Sequence, residues 1–129
     1  MILLDKHVLV WLSLEPERLP VKARHAIREA RGVDGIAIAA ITLWGVAELI
    51  ACGLIRVAVS IDAFVRASAA AVTVLPITPD IAVNSVQMPE NFPKDPADRL
   101  IAATAIVEGV PLLTADGPIR TSGVVQTIW

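Results

Sequence analysis

The chain has 129 residues, of which 55% are hydrophobic and 19% are charged, and its formal net charge is −2. This length and apolar composition predict one domain over residues 1–129 and exclude a disordered chain. The longest uncharged stretches hold 13 residues (35–47 and 67–79), fewer than the ~18 that a membrane-spanning helix needs. The slightly negative net charge also differs from the positive net charge that is typical of nucleic-acid-binding domains.

The first half of the chain contains two apolar runs that predict strands and three segments that predict helices. Residues 1–4 and 35–40 are short and almost entirely apolar, as buried strands are. Helices are expected at about residues 7–14, 20–31 and 43–51. Thr42 is positioned to cap the third of these helices, and Gly53 to end it.

The second half continues the alternation of helices and strands. A helix is expected at residues 61–70, and strands at 72–75, 110–114 and 125–129. Thr78-Pro79 and Asp95-Pro96 each place a capping residue before a proline, which predicts helices running to about Gln87 and Glu108. Strands that alternate with helices predict an α/β three-layer sandwich, with a central parallel sheet and helices on both faces.

Four acidic residues lie where such a sheet would bring distant parts of the chain together: Asp5, Glu48, Asp98 and Asp116. Asp5 follows the first strand, and Asp116 follows the strand at 110–114. In open α/β sheets, functional sites gather beyond the carboxyl ends of the strands. Glu48 is the only charged residue between positions 34 and 56. Its helix looks buried, and a buried carboxylate is costly unless it is paired or metal-bound.

Each aspartate also has a structural explanation. Asp5 is suited to cap the helix that follows it, and Asp98 to interact with the dipole of the helix that Asp95 caps. Asp116 lies in the sequence Ala-Asp-Gly-Pro, in which aspartate is ordinary for a turn. The shared position at strand ends and helix starts nevertheless favours a common site.

A carboxylate cluster of this kind favours Mg²⁺ or Mn²⁺, which prefer carboxylate oxygens and water as ligands. One or two such ions would activate a water for in-line attack on a phosphodiester and stabilise the leaving oxygen. Other kinds of site lack support. The sequence has neither type of glycine-rich phosphate loop, and His7 and His25 have no cysteines at zinc-site spacing.

Single residues and local clusters add further expectations. Cys52 is the only cysteine, so no internal disulfide can form, which agrees with a cytoplasmic location. The N-terminal apolar run lacks a basic segment, so no signal peptide is expected. Trp11 and Trp44 are expected in the core, and Trp129 in a packed terminal strand. The basic residues of the second helix form either a solvated face or a rim that contacts phosphate or a partner: Lys22, Arg24, Arg28 and Arg31.

Three segments, in order along the chain, resemble the PIN-domain ribonucleases, and among them the VapC-type toxins of bacterial toxin–antitoxin pairs. They are residues 1–11 (MILLDKHVLVW), 95–105 (DPADRLIAATA) and 112–116 (LLTAD), and the closing residues 127–129 (TIW) are also typical of this branch. The resemblance implies a PIN-like fold and RNA cleavage that depends on Mg²⁺ or Mn²⁺. It also implies a cognate antitoxin and a homodimer, and it matches Asp5, Asp98 and Asp116 to three family acids.

The chain departs from the family pattern at two positions. Gly45 stands where the resemblance places the second acid, and Glu48 lies about one helical turn further on, as a candidate substitute. Lys6 stands where the family usually has a small hydroxyl residue, and a lysine there would pair with Asp5 and compete with the cation. Both departures predict reduced activity. Arg99 and Thr114 are expected to hydrogen-bond the carboxylates.

There are two alternatives to an active ribonuclease, and the first rests on the resemblance together with the departures at Gly45 and Lys6. A catalytically inactive PIN-fold protein would still dimerise and bind an antitoxin helix in an apolar groove, and a cleavage assay with excess Mn²⁺ separates it from the enzyme. An unrelated doubly wound nucleotide-binding module is the third hypothesis, and the missing phosphate loop argues against it.

Overall fold

The computed structural model describes residues 1–129 and contains five short strands and seven α-helices. The strands are β1 (Ile2–Leu4), β2 (Ile36–Ala39), β3 (Thr73–Leu75), β4 (Leu112–Leu113) and β5 (Thr127–Ile128). The helices are α1 (Lys6–Leu14), α2 (Val21–Val33), α3 (Ala40–Ala51), α4 (Ile61–Ala71), α5 (Pro79–Val86), α6 (Pro96–Glu108) and α7 (Gly117–Ser122). A 3-10 turn, Pro16–Arg18, joins α1 to α2.

The strands form one parallel sheet in the order β3-β2-β1-β4-β5. The central strand is β1, in which Leu3 is in register with Ala37 of β2 and with Leu112 of β4. Along the chain, β2 and β3 are added on one side of β1, and β4 and β5 are added afterwards on its other side. The strand order therefore reverses between β1 and β4, and ligands of doubly wound sheets bind at the carboxyl ends of the strands beside such a reversal.

The sheet separates two apolar cores, because successive strand side chains point to opposite faces. Ile2 and Leu4 pack in a core of 14 buried residues that also includes side chains from α1, α2 and α3. Leu3 packs in a second core of 10 buried residues, with side chains from α6 and α7. The predicted three-layer α/β sandwich is therefore confirmed.

Three local expectations are wrong. Helix α3 begins at Ala40, directly after β2, so Thr42 lies inside the helix and caps nothing; its buried hydroxyl has no hydrogen-bond partner. Residues 117–122 form helix α7, where only a turn was expected. Trp44 is 56% exposed, so it is not a core residue, whereas Trp11 is partly buried and packs against Trp129. None of the helices has both the length and the apolarity to cross a membrane.

Candidate active site

Asp5 is the innermost acid and is held rigidly at the end of β1. Its residue exposure is only 7%, and its backbone N–H donates to the carbonyl of Leu113 at 3.0 Å. The carboxylate accepts two hydrogen bonds, from the backbone N–H of Lys6 at 2.7 Å and from the hydroxyl of Thr114 at 2.6 Å. The expected role of Thr114 is confirmed. Asp5 is thus both the cap of α1 and a fixed group at the strand reversal.

Asp116 approaches the same region from β4. It caps α7 by accepting from the backbone N–H of Ile119 at 3.0 Å, while its own backbone N–H donates to the Thr114 hydroxyl at 3.1 Å. One buried threonine therefore bridges the two acids, since its hydroxyl donates to Asp5 and accepts from the backbone of Asp116. The structural and functional explanations of Asp116 are compatible.

The start of α6 brings two further acids, Asp95 and Asp98, to the same region. Asp95 caps this helix by accepting from the backbone N–H of Ala97 at 3.0 Å. Asp98 follows in the first turn, and its half-buried carboxylate takes part in no hydrogen bond or ion pair. Residues three apart on a helix are neighbours on its surface, so a single turn presents two carboxylates.

Asp5, Asp98 and Asp116 line one cavity of about 280 Å³. The expectation that these three acids meet beyond the carboxyl ends of the strands is confirmed. Asp95 lines the cavity as well, although the sequence indicated only a capping role for it. Its spacing of three residues from Asp98 is the signal that identifies it. The remaining walls are formed by Lys6, His7, Trp11 and Ala115.

Burial and like charges together shift the pKa of Asp98. Its pKa is raised from 3.8 to about 6, mainly because the group is partly buried, and further because Asp95, Asp5 and Asp116 carry like charges. Lys6 opposes this rise in pKa. His7, at the rim, has a lowered pKa because its ring is partly buried and lies near the Lys6 ammonium. The cavity thus concentrates negative charge that one lysine offsets in part.

Lys6 reaches the cavity by lying across Gly45. A Cβ placed on Gly45 would lie 2.8 Å from Cδ of Lys6 and 3.9 Å from its Cε. Real Cβ atoms essentially never make a contact of 2.8 Å, so a side chain at position 45 requires Lys6 to move. The two departures from the family pattern therefore occupy the same space.

Glu48 and Arg99 do not join the cavity. Glu48 is an exposed residue of α3 and is not among the residues that line the acidic cavity, so the expectation of a buried carboxylate is wrong. Arg99 donates from Nε to the carbonyl of Pro93 at 2.9 Å and lines a different cavity. The expectation that Arg99 hydrogen-bonds the carboxylates is also wrong.

The acids share a cavity without forming a closed set of ligands. No three side chains of His, Cys, Asp or Glu are arranged to hold a metal ion as they stand. Asp5 is fixed by its hydrogen bonds, whereas the Asp98 carboxylate is not tied to any partner. The arrangement is therefore acidic and partly pre-organised.

The fold and this acidic site together define the class of protein. Residues 2–121 match the PIN domain family. The chain therefore belongs to the PIN-domain family, in its VapC-type branch. It is 42% identical over 120 residues to Ribonuclease VapC22 of Mycobacterium tuberculosis (strain ATCC 25618 / H37Rv), an alignment that covers 93% of this chain and 90% of the relative.

Solved structures of related complexes share the fold at lower identity. The chain resembles VapBC2 from Rickettsia felis, bound to a DNA fragment from its promoter, with a TM-score of 0.72 and 14% identity over 98% of this chain and 97% of the other. It resembles DNA-bound VapBC from Salmonella typhimurium with a TM-score of 0.72 and 17% identity, at the same coverage. FitAcB from Neisseria gonorrhoeae gives a TM-score of 0.69 and 20% identity, covering 98% and 96%.

Proposed function

We propose that this chain is a metal-dependent endoribonuclease toxin of a toxin–antitoxin system, acting in the cytoplasm as one domain of residues 1–129. The observation that carries the proposal is the meeting of Asp5, Asp98 and Asp116 in one cavity beside the strand reversal. The name of the 42% identical relative, Ribonuclease VapC22, supports RNA as the substrate class.

The chemistry of the cavity suits Mg²⁺ or Mn²⁺. Its acidic groups offer carboxylate oxygens, which these hard cations prefer, and nitrogen or sulfur ligands are nearly absent. Asp98 has no protein partner, and its pKa is raised mainly by partial burial and further by the neighbouring carboxylates, whose charge a cation would neutralise. We therefore assign Asp5, Asp98 and Asp116 as the metal-holding residues. A divalent ion there would supply a Lewis acid for phosphodiester hydrolysis.

The protein residues have distinct tasks in this proposal. Thr114 and the backbone of Lys6 hold the Asp5 carboxylate in one orientation at the wall of the cavity. Asp116 is held by the start of α7, and Asp98 is free to adjust to a ligand. In this proposal Asp5 is the pre-organised ligand, and Asp98 has to move to complete the set around a bound ion.

A cleavage assay tests this proposal. Purified protein is incubated with a labelled single-stranded RNA and excess Mn²⁺, in parallel with EDTA. We expect cleavage only with Mn²⁺, and loss of cleavage in Asp98→Asn. The matched control is Asp80→Asn, which removes an exposed aspartate of α5 outside the cavity. Cleavage that survives Asp98→Asn would contradict the assigned site.

A second candidate function is binding without catalysis, through dimerisation and antitoxin binding. Gly45 leaves one family acid missing, Glu48 lies outside the cavity, and Lys6 already places a positive charge there. No cleavage at any Mn²⁺ concentration, together with retained partner binding, would favour this candidate over the enzyme.

We further propose a homodimer and a cognate antitoxin as partners. Several large apolar side chains of α3, α4 and the segment between them are exposed: Trp44 (56%), Val59 (55%) and Ile61 (40%). Burying this surface against a second copy would stabilise it. Light scattering tests the dimer, and Trp44→Glu is expected to shift the protein toward monomer.

The antitoxin is proposed to lie in a larger groove beside the acidic cavity. This groove, about 700 Å³, has six hydrophobic residues in its lining, including Leu14, Leu49 and Leu54, and also contains Arg18 and Arg56. His7 and Trp11 line both the groove and the acidic cavity, so an antitoxin segment there would block access to the acids. Leu54→Glu is expected to weaken antitoxin binding and to leave RNA cleavage unchanged.

A further inference from the structure

Lys6 is the only lysine or arginine that lines the acidic cavity. The walls contain four aspartates, so an anionic phosphodiester that enters the cavity is repelled unless positive charge is present. Arg99, the nearest arginine in sequence to Asp98, donates to a backbone carbonyl and lines another cavity. Lys6 is therefore the one fixed source of positive charge that the protein itself provides there.

The Lys6 ammonium is free to take a ligand. None of the four ion pairs in the structure includes Lys6, so none of the surrounding carboxylates lies within 4.0 Å of its nitrogen, and the expected pairing of Lys6 with Asp5 is wrong. A lysine ammonium has three donors and seeks acceptors in any partly enclosed position. In a site this acidic, an unpaired ammonium is suited to an anionic ligand that arrives from outside.

The position of Lys6 depends on the glycine beneath it. Gly45 is buried, and a Cβ at this position would overlap Cδ of Lys6 at 2.8 Å. Gly32 lies near the end of α2, and a Cβ there would meet nothing within 4 Å. The absence of a side chain at position 45 thus creates the space through which the lysine stem crosses α3 toward the acids.

We propose that Lys6 contacts a phosphate of the bound RNA, and that Gly45 positions it by leaving room for its stem. This inference rests on the proposed function, because it takes RNA as the ligand. It assigns to Lys6 and Gly45 a joint role in holding the substrate, in place of the carboxylate that the family pattern expects. Lys6 is a binding residue, and Gly45 acts only through Lys6.

The test measures RNA binding without catalysis. Binding of a fluorescent single-stranded RNA is followed by anisotropy in EDTA at several salt concentrations, for the wild type and four variants. Lys6→Met removes the charge and keeps a long apolar stem. Gly45→Ala adds one methyl group and changes no charge. The double variant combines both changes, and Gly32→Ala is the matched glycine control.

We expect Lys6→Met to weaken RNA binding roughly ten-fold, the loss typical of one charge-assisted contact. The slope of log affinity against log salt should fall by about 0.7, as for one released counterion on single-stranded nucleic acid. Gly45→Ala should weaken binding when Lys6 is present and have no further effect in Lys6→Met, because the two changes act on one contact. Gly32→Ala should bind as the wild type does.

Several outcomes would overturn the inference. Unchanged binding by Lys6→Met excludes a phosphate contact, and an equal effect of Gly45→Ala in both backgrounds excludes positioning through Lys6. A wild type that binds no RNA in EDTA also overturns the contact. If Lys6→Met cleaves RNA with Mn²⁺ as well as the wild type does, the ribonuclease proposal holds and the Lys6 contact is wrong. If RNA binding depends on Lys6 but no variant cleaves RNA, the Lys6 contact holds and the proposed catalysis is wrong.

Discussion

Replacing Asp98 with asparagine should make the metal-free protein more stable at neutral and alkaline pH. The pKa of Asp98 is raised to about 6 in the folded state from 3.8. The folded protein therefore disfavours the ionised carboxylate, and this unfavourable contribution is complete above the folded-state pKa. It disappears as the pH falls from about 6 to below the unfolded value. The asparagine side chain has nearly the same shape and no charge, so it avoids both the cost of burying a charge and the repulsion from the neighbouring acids.

The expected gain in the free energy of unfolding follows from the pKa shift of Asp98. The difference between 3.8 and about 6 corresponds to roughly 3 kcal/mol at most. The carboxylate is half-buried, and solvent and salt screen its neighbours, so we expect about 1–2 kcal/mol. For a chain of this size, that is a rise of roughly 5 °C in Tm. Below about pH 3 the two proteins should have the same stability, because Asp98 is then protonated in both states.

A bound divalent metal ion should make the wild type more stable than Asp98→Asn. Mn²⁺ that binds only the folded wild type at 100 times its Kd adds about 2.7 kcal/mol of stability, whereas Asp98→Asn lacks the adjustable ligand. Urea unfolding at about pH 8 and about pH 3, with EDTA and with Mn²⁺, measures the free energy of unfolding of both proteins under each condition. Asp98→Asn that is less stable than the wild type in EDTA at about pH 8 would refute the electrostatic reasoning.

Three further changes test individual contacts. Thr114→Val leaves one oxygen of buried Asp5 without its 2.6 Å hydrogen bond, so calorimetry should show a loss of about 1–3 kcal/mol, and Thr114→Ser should lose less. Gly45→Glu should raise Mn²⁺ affinity little by itself, because Lys6 occupies the space at 2.8 Å; Gly45→Glu with Lys6→Thr should raise it clearly in a Mn²⁺ titration. Glu48→Gln should leave Mn²⁺ affinity and RNA cleavage unchanged. A large loss of either would show that Glu48 belongs to the metal site.

The sequence was sufficient to predict the sheet and most of the helices because local signals agreed with the tertiary structure. Asp95-Pro96 predicted the start of α6, and the apolar runs around Leu3 and Ala37 predicted parallel buried strands. Thr42 misled because a strong capping residue can be overridden when the strand passes directly into the helix. Helix α7 was missed because its six residues carry turn-forming Gly and Pro at the start.

The sequence predicted the part of the site that is formed by residues at the ends of strands. Asp5 and Asp116 follow strands that lie side by side, so their meeting followed from topology. The direction of a side chain on a helix surface is harder to infer. Glu48 points to solvent although its neighbours are apolar, and Arg99 turns toward a loop carbonyl. The overlap of Lys6 with position 45 depends on the packing of α1 against α3, which no local pattern encodes.

A crystal structure of the protein soaked in Mn²⁺, with the ion located by its anomalous scattering, tests most directly whether the three aspartates hold a metal. We expect an ion in the cavity of Asp5, Asp98 and Asp116, with oxygen ligands from Asp98 and at least one of the other two acids. Ligand distances of about 2.0–2.4 Å are typical of such ions. A cavity that stays without an ion at saturating Mn²⁺, or an ion bound only by other residues, would contradict a metal site at these aspartates.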